Sequence, residues 1–143
     1  MPPKSTQYPL IVQATAMPGK ADVRREVKDV FSNPVFCFTS TWQLIETVKH
    51  PDIAGYESMV YETIENPDIV MESTLHDAAA IFETTGTGPY GRDLPVVVNY
   101  DDPKYTLGNT RGTLTTAYDR DIRRYPKPNI GKVLYSKKKG SQK

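Results

Sequence analysis

The stretch from Trp42 to Val70, WQLIETVKHPDIAGYESMVYETIENPDIV, predicts two consecutive helices. Apolar side chains recur at helical spacing in its first part, which indicates a buried stripe made of Trp42, Ile45 and Val48. Pro51 disfavours helical geometry at the residue before it. The first helix is therefore expected to end near Lys49 and to leave His50 at its C-terminal junction.

The ends of both helices also have sequence signals. Ser40 followed three residues later by Gln43 fits a capping box at the start of the first helix. The second helix is expected from Asp52, as its N-cap, to Glu65, because an Asn-Pro step follows. Its predicted buried face consists of Tyr56, Met59, Val60 and Ile64.

Short runs with strand character lie on both sides of the helices. One precedes them at 35–38, and five follow, at 69–72, 79–83, 95–99, 112–119 and 132–136. Helices that precede a series of strands indicate an α+β fold. The sequence thus predicts two N-terminal helices packed on one face of an antiparallel sheet of about four to five strands, with the other face exposed.

A chain of 143 residues has room for one domain. Residues 1–34 are predicted to be an N-terminal arm with a short charged helix from Ala21 to Phe31, residues 35–136 the domain, and residues 137–143 a basic tail. No apolar run approaches the length of a membrane span or of a signal peptide, so no membrane association and a cytoplasmic location are expected. The single cysteine, Cys37, lies in an apolar run and is expected to be a packed thiol.

Positive charge is concentrated near the C-terminus. Residues 1–118 contain 9 Lys and Arg against 15 Asp and Glu, whereas residues 119–143 contain 9 against 2. Such asymmetry can direct a domain towards a polyanion, although a lysine-rich tail can also be merely solubilising. The basic residues that adjoin a predicted strand, and are therefore candidates for RNA binding, are Arg120, Arg123, Arg124 and Lys127.

Several kinds of site are excluded because their motifs are absent: a Gly-rich phosphate loop, a dinucleotide fingerprint, a paired-histidine zinc helix and a nucleophile elbow. Asp101 and Asp102 precede a proline and are more typical of a turn than of a metal site, so neither metal nor cofactor is expected. The remaining candidates are basic or hydroxylated: Lys49, His50, Arg111, Thr116 and Tyr118. Each has a structural alternative, because His50 could cap a helix, and threonine and tyrosine favour strands. His76, in a polar turn, is the weaker of the two histidines.

The order of these features resembles a known family. The quoted stretch is similar to the helix, His-Pro, helix and Asn-Pro-Asp signature of the phage-associated barnase, EndoU, colicin and RelE-like nucleases. The later segments LPVVVNYDD and GTLTTAYDRD resemble that family's closing pair of strands, of which the second ends in Thr-Ala-Tyr. The resemblance covers roughly residues 35–124. Glu83 departs from it, at a position where a basic or aromatic pair is expected.

The resemblance implies an endoribonuclease in which His50, Thr116 and Tyr118 belong to the active site. Lys49 and Arg111 match no family position and rest on chemistry alone. RNA cleavage without a metal requires a group to take the 2′-hydroxyl proton, donors for the phosphorane charge and an acid for the leaving oxygen. His50 is expected to act as acid or base, Lys49, Arg111 and Thr116 to hold phosphate oxygens, and Tyr118 to stack on a base.

This interpretation predicts a toxin-like ribonuclease whose partners are RNA and an antitoxin or immunity protein. It also predicts that His50 lies within about 10 Å of Thr116 or Tyr118 in one accessible cleft. Two alternatives remain open from the sequence. One is a non-catalytic, phage-associated module that binds nucleic acid or protein, and the other is a metal-dependent nuclease that uses Asp101 and Asp102.

Overall fold

The computed structural model describes residues 22–120 and 130–137, and within these ranges the chain forms one sheet of seven strands. The strands are β1 Val23–Lys28, β2 Pro34–Phe38, β3 Ile69–Ser73, β4 Ala79–Thr84, β5 Leu94–Tyr100, β6 Gly112–Ala117 and β7 Ile130–Ser136. Their spatial order is β1-β2-β6-β5-β4-β3-β7. Strands β3 to β6 thus form an antiparallel meander, to which β7 is added at one edge and β2 with β1 at the other.

One pair in this sheet is parallel. Val35 on β2 lies opposite Gly112 on β6, and the two strands run in the same direction, whereas all other described pairs are antiparallel. Because parallel strands end at the same edge of a sheet, the segments that follow Phe38 and Ala117 start close together. This pairing brings the first helix to the end of β6.

The helical layer connects β2 to β3. Helix α1, Thr39–Leu44, continues directly as a π-helical turn at Ile45–Lys49. A 3₁₀ segment, Pro51–Tyr56, then leads into helix α2, Glu57–Glu65. Helix α1 packs on β2 and β6, and α2 packs on β1, β4 and β5. The two helices therefore cover one face of the sheet.

The hydrophobic core lies between this layer and the sheet. The helical segments contribute fully buried Trp42, Ile45, Ile53, Val60 and Ile64. The facing strand residues include Val35, Val70, Phe82, Val96, Val98 and Leu114. Alternate positions along β5 are completely inaccessible, as expected for a strand whose one face packs on helices.

The predicted α+β class is correct, but the predicted arrangement is wrong. The helices occupy residues 39–65, in the middle of the chain, and two strands precede them. The predicted helix from Ala21 to Phe31 contains β1 instead, because VRREVK pairs with β2 along its length. Charged residues are compatible with an exposed helix and also with a strand at the edge of a sheet. The composition of this segment therefore did not distinguish a helix from a strand.

The sheet is also larger and less regular than predicted, with seven mixed strands rather than four to five antiparallel ones. Its second face is not exposed at the centre. Met71 and Ile81 on that face are buried, and so are the charged Glu83 and Arg120. At the centre of the sheet, the expectation of an exposed second face is therefore wrong.

The predicted details of the first helix need two corrections. Phe38 is its N-cap residue and makes no side-chain cap, and the Ser40 hydroxyl bonds Asp22 at 3.5 Å instead of capping the helix. The π-helical turn adds a residue to the last turn, so Val48 leaves the buried stripe and is 70% exposed. Helical periodicity assumes 3.6 residues per turn and cannot detect this change.

The long connection from β5 to β6 is held against the domain. Tyr105 stacks on Tyr100 with ring centroids 4.4 Å apart. The buried Asn33 amide donates to the Tyr105 carbonyl at 2.7 Å and accepts from the Thr110 N–H at 3.1 Å. These contacts give the connection a structural role. In the two described ranges, no helix is long and apolar enough to cross a bilayer.

Candidate functional site

His50 and Tyr118 meet at the end of β6. Their ring centroids are 5.6 Å apart with 34° between the planes, and both side chains are half-buried. The Tyr118 N–H donates to the Pro95 carbonyl at 3.1 Å, which extends the β5–β6 pairing one residue beyond the strand. The rings of His50 and Tyr118 thus lie within the predicted separation of about 10 Å, whereas their roles stay a prediction.

The π-helical turn fixes the backbone of His50. The His50 N–H donates to the Ile45 carbonyl at 2.8 Å, a hydrogen bond that spans five residues instead of four. Pro51 follows, and His50 adopts φ −145° and ψ 69°, which ends the helix. Single π turns of this kind are frequent at functional sites. The site histidine is therefore placed by the backbone, at the edge where β2 and β6 end together.

A buried ion pair lies behind Tyr118. The Arg120 guanidinium carbon is 5.6 Å from the Tyr118 ring centroid, and its Nε donates to Glu83 Oε2 at 3.1 Å. The side chains of Arg120 and Glu83 are 6% and 4% exposed. Arg120, predicted to bind RNA from the surface, is thus a buried partner of Glu83 that contacts the Tyr118 ring.

A second ion pair connects the same chain segment to the β4–β5 loop. Asp119 is almost fully buried and accepts from Arg92 Nη1 at 2.6 Å. The Arg92 guanidinium also lies over the ring of Tyr90, 5.0 Å from its centroid. Two guanidinium–carboxylate pairs therefore hold the two residues that follow Tyr118, one through Asp119 and one through Arg120.

Thr116 lies on β6, opposite Val97 and two residues before Tyr118. Residues two apart on a strand share a face, which places Thr116 beside Tyr118. Its Oγ1 is buried and has no hydrogen-bond partner within the part of the chain that the structure describes. Because this atom has essentially no accessible surface, it contacts no bound molecule in this conformation.

The structure does not bring all predicted residues to this place. Lys49 adjoins His50 in the chain, and its side chain is exposed. Arg111 forms an ion pair with Asp101 at 2.9–3.0 Å. Because Arg111 precedes β6 and Tyr118 follows it, the two residues are roughly 20 Å apart, at about 3.3 Å per strand residue. His76 is exposed in the β3–β4 turn. Arg123, Arg124 and Lys127 lie outside the described residues.

The acidic alternative site has the contacts of a turn. Asp101 pairs with Arg111, and Asp102 Oδ1 accepts from the Lys104 N–H at 2.8 Å. Within residues 22–120 and 130–137, no group of three or more His, Cys, Asp or Glu side chains is placed to hold a metal ion.

Cys37 is buried, and burial raises the pKa of its thiol. A buried thiol of this kind is a poor nucleophile.

Sequence reasoning missed Glu83, Tyr90, Arg92 and Asp119. Glu83 had been noted only as a departure from the family pattern. The β4–β5 register places it opposite Pro95, whose carbonyl binds Tyr118, and this relation is not visible in the linear sequence. The Thr-Ala-Tyr-Asp-Arg run contains one usable signal, since Arg120 falls two residues after Tyr118 on the same face.

Comparisons of the chain with protein-family models, with curated proteins and with solved structures found no match.

Proposed function

We propose that the protein is a metal-independent, toxin-like endoribonuclease that acts on cytoplasmic RNA. The observation that carries this proposal is the packing of His50 on Tyr118 at the end of β6, with Arg120 against the same tyrosine. This arrangement places an imidazole, the side chain that most often acts as a general acid or base, beside the Tyr118 hydroxyl, which can donate to a phosphate.

The proposed reaction uses the substrate's own nucleophile. The 2′-oxygen forms a bond to phosphorus, and the bond from phosphorus to the 5′-oxygen breaks, which leaves a cyclic phosphate and a 5′-hydroxyl. One proton leaves the 2′-hydroxyl and one reaches the departing 5′-oxygen. We assign one of these transfers to His50, because its half-buried ring stands at the accessible edge beside Tyr118.

The other residues bind and orient the substrate. The Tyr118 hydroxyl donates to a phosphate oxygen, and the Tyr118 ring offers a surface for a base. Arg120 has a positioning role, because its guanidinium is buried between Glu83 and the Tyr118 ring. Lys49 adds a positive charge beside His50. Arg111 has no part in this mechanism, since it lies at the other end of β6.

The test is cleavage of end-labelled single-stranded RNA by the purified full chain in EDTA. We expect wild-type protein to give products that end in a cyclic phosphate, and His50→Ala to lower turnover about 100-fold or more. His76→Ala is the matched control, because it removes the exposed histidine of the β3–β4 turn, and it should leave turnover unchanged.

Other outcomes would contradict the proposal in different ways. Cleavage that stops in EDTA and returns with magnesium would favour the acidic alternative at Asp101 and Asp102. RNA binding without cleavage would favour a non-catalytic binding module of the same fold. The toxin-like role predicts that expression arrests bacterial growth and that the His50→Ala version does not.

A further inference from the structure

The β4–β5 loop presents one aromatic side chain almost entirely to solvent. Tyr90 is 86% exposed, the most exposed large hydrophobic residue in the described part of the chain. Its backbone has φ 59° and ψ 25°, in the left-handed region that side chains other than glycine rarely adopt. The Tyr90 side chain therefore contributes little buried surface to folding, and its backbone is strained.

The loop holds this conformation through a compact set of bonds. The Gly88 N–H donates to the Arg92 carbonyl at 2.7 Å, and the Gly91 N–H donates to the Gly88 carbonyl at 3.1 Å. A Cβ on Gly88 would lie 3.1 Å from the Arg92 carbonyl oxygen, which explains why the closed loop has glycine there. The hydroxyl of Thr87 bonds that of Thr84, which bonds Thr63 on α2. These hydrogen bonds therefore fix the loop that carries the strained Tyr90 backbone.

Arg92 connects this tyrosine to the candidate site. Its guanidinium lies over the Tyr90 ring and donates to Asp119, the residue between Tyr118 and Arg120. The Arg92 side chain is 32% exposed, so part of it can contact a ligand beside Tyr90. Arg92 thus stacks on one side of the Tyr90 ring and anchors this aromatic–guanidinium stack to the segment that bears Tyr118.

We propose that Tyr90 and Arg92 form a stacking subsite for one base of single-stranded RNA, next to the phosphate bound at His50 and Tyr118. Aromatic rings and guanidinium planes are the surfaces on which proteins stack unpaired bases. Because the loop already holds the Tyr90 ring away from the hydrophobic core, the ring need not be ordered when RNA binds, which lowers the entropic cost of binding. This inference rests on the proposed function and adds a subsite to it.

The test measures affinity for a 2′-O-methyl single-stranded RNA, which cannot be cleaved, so it is independent of catalysis. Tyr90→Gly is the informative change, because glycine adopts the left-handed conformation without strain. We expect its affinity for this RNA to fall roughly tenfold while its Tm stays close to the wild-type value. Tyr90→Phe should bind like wild type.

Two controls make the result specific to stacking. Leu75→Ala trims another exposed apolar side chain, in the β3–β4 turn at the opposite end of the sheet, and should not alter affinity. Removing the bases from the RNA should cost wild type more affinity than it costs Tyr90→Gly, and the difference should match the loss that Tyr90→Gly shows on the complete RNA.

The stacking subsite is refuted if Tyr90→Gly binds the complete RNA as tightly as wild type, or if its affinity falls only in step with a lowered Tm. Binding that depends on Tyr90 without any cleavage of ordinary RNA would support the subsite and refute the ribonuclease. Cleavage that depends on His50, together with RNA binding that does not depend on Tyr90, would support the ribonuclease and refute the subsite.

Discussion

Gly108 shows how one residue determines the connection from β5 to β6. Its φ is 76°, and a Cβ at this position would lie 2.2 Å from the Phe31 carbonyl oxygen. Phe31 belongs to the β1–β2 turn, in which Asp29 accepts from the N–H groups of Phe31 and Asn33 and from the Tyr100 hydroxyl. The missing side chain at Gly108 thus allows two connections to pack on each other.

Gly91 offers a matched comparison, because its φ is 72° but nothing lies within 4 Å of a Cβ built there. Gly91→Ala should lower the free energy of unfolding by about 1 kcal/mol, the cost of a left-handed alanine. Gly108→Ala should lower it by about 3 kcal/mol or more, because the Phe31 carbonyl must also move. Urea unfolding of both variants measures the difference. Equal losses would show that the close approach costs nothing.

At this scale the candidate site could be predicted only in part. His50 and Tyr118 were found because each belongs to a short motif, the His-Pro step and the Thr-Ala-Tyr strand end. Glu83 and Tyr90 were not found, because the first depends on strand register and the second on a backbone angle. Neither quantity is encoded in the identity of neighbouring residues.

Among the elements, β1 is attached to α2 by a polar network. Arg24 on β1 donates to both carboxylate oxygens of Glu57, at 2.5 and 3.0 Å, and the Tyr61 hydroxyl donates to the same carboxylate. The Arg24 guanidinium holds the pKa of Glu57 below its ordinary value, and burial raises the pKa of Tyr61. The ionised carboxylate is therefore the form that the folded state favours.

This network predicts a defined pH dependence. A carboxyl group with a lowered folded pKa stabilises the protein above its unfolded pKa of about 4.5 and loses that contribution as pH falls through the folded value. Glu57→Gln should lower Tm at pH 7, and its difference from wild type should shrink as the pH falls below about 4.5. Glu62→Gln, at an exposed position of α2, should have little effect at either pH. A Tm difference for Glu57→Gln that stays constant with pH would exclude a role for the ionised carboxylate.

Elements were easier to predict than their arrangement. All six predicted strands exist, with ends that differ by at most two residues, because apolar runs bounded by turn residues have a local physical cause. The parallel pairing of β2 with β6 has no such local cause, since it joins segments far apart in the chain. The π-helical turn was equally hidden, because it changes the number of residues per turn and not their character.

For the whole molecule, positive charge is concentrated after residue 118, and this distribution allows the effect of charge on RNA affinity to be tested separately from its effect on turnover. Each cation that neutralises a phosphate makes RNA binding more sensitive to salt, whereas a group that transfers a proton changes turnover. Charge alone, without any assumption about structure, makes Arg123, Arg124 and Lys127 candidates for the first role.

Replacing Arg123, Arg124 and Lys127 together with Gln should therefore weaken RNA binding and reduce the slope of log affinity against log salt, by up to about one per lost phosphate contact. Turnover at saturating RNA should change little. Lys28→Gln is the control, since Lys28 is exposed at the end of β1 remote from Tyr118. A fall in turnover with an unchanged salt slope would assign these cations to the chemical step.

The parallel pairing of β2 with β6 has a consequence for the time at which the candidate site can first form. His50 and Tyr118 are separated by almost half of the chain, and contacts between such distant segments form late, after the loop entropy between them has been overcome. Ribosomes extend a chain by about 5–20 residues per second, so Tyr118 is added several seconds or more after His50. A nascent chain that already contains His50 therefore cannot form the His50–Tyr118 contact until β6 and the residue that follows it have also been synthesised.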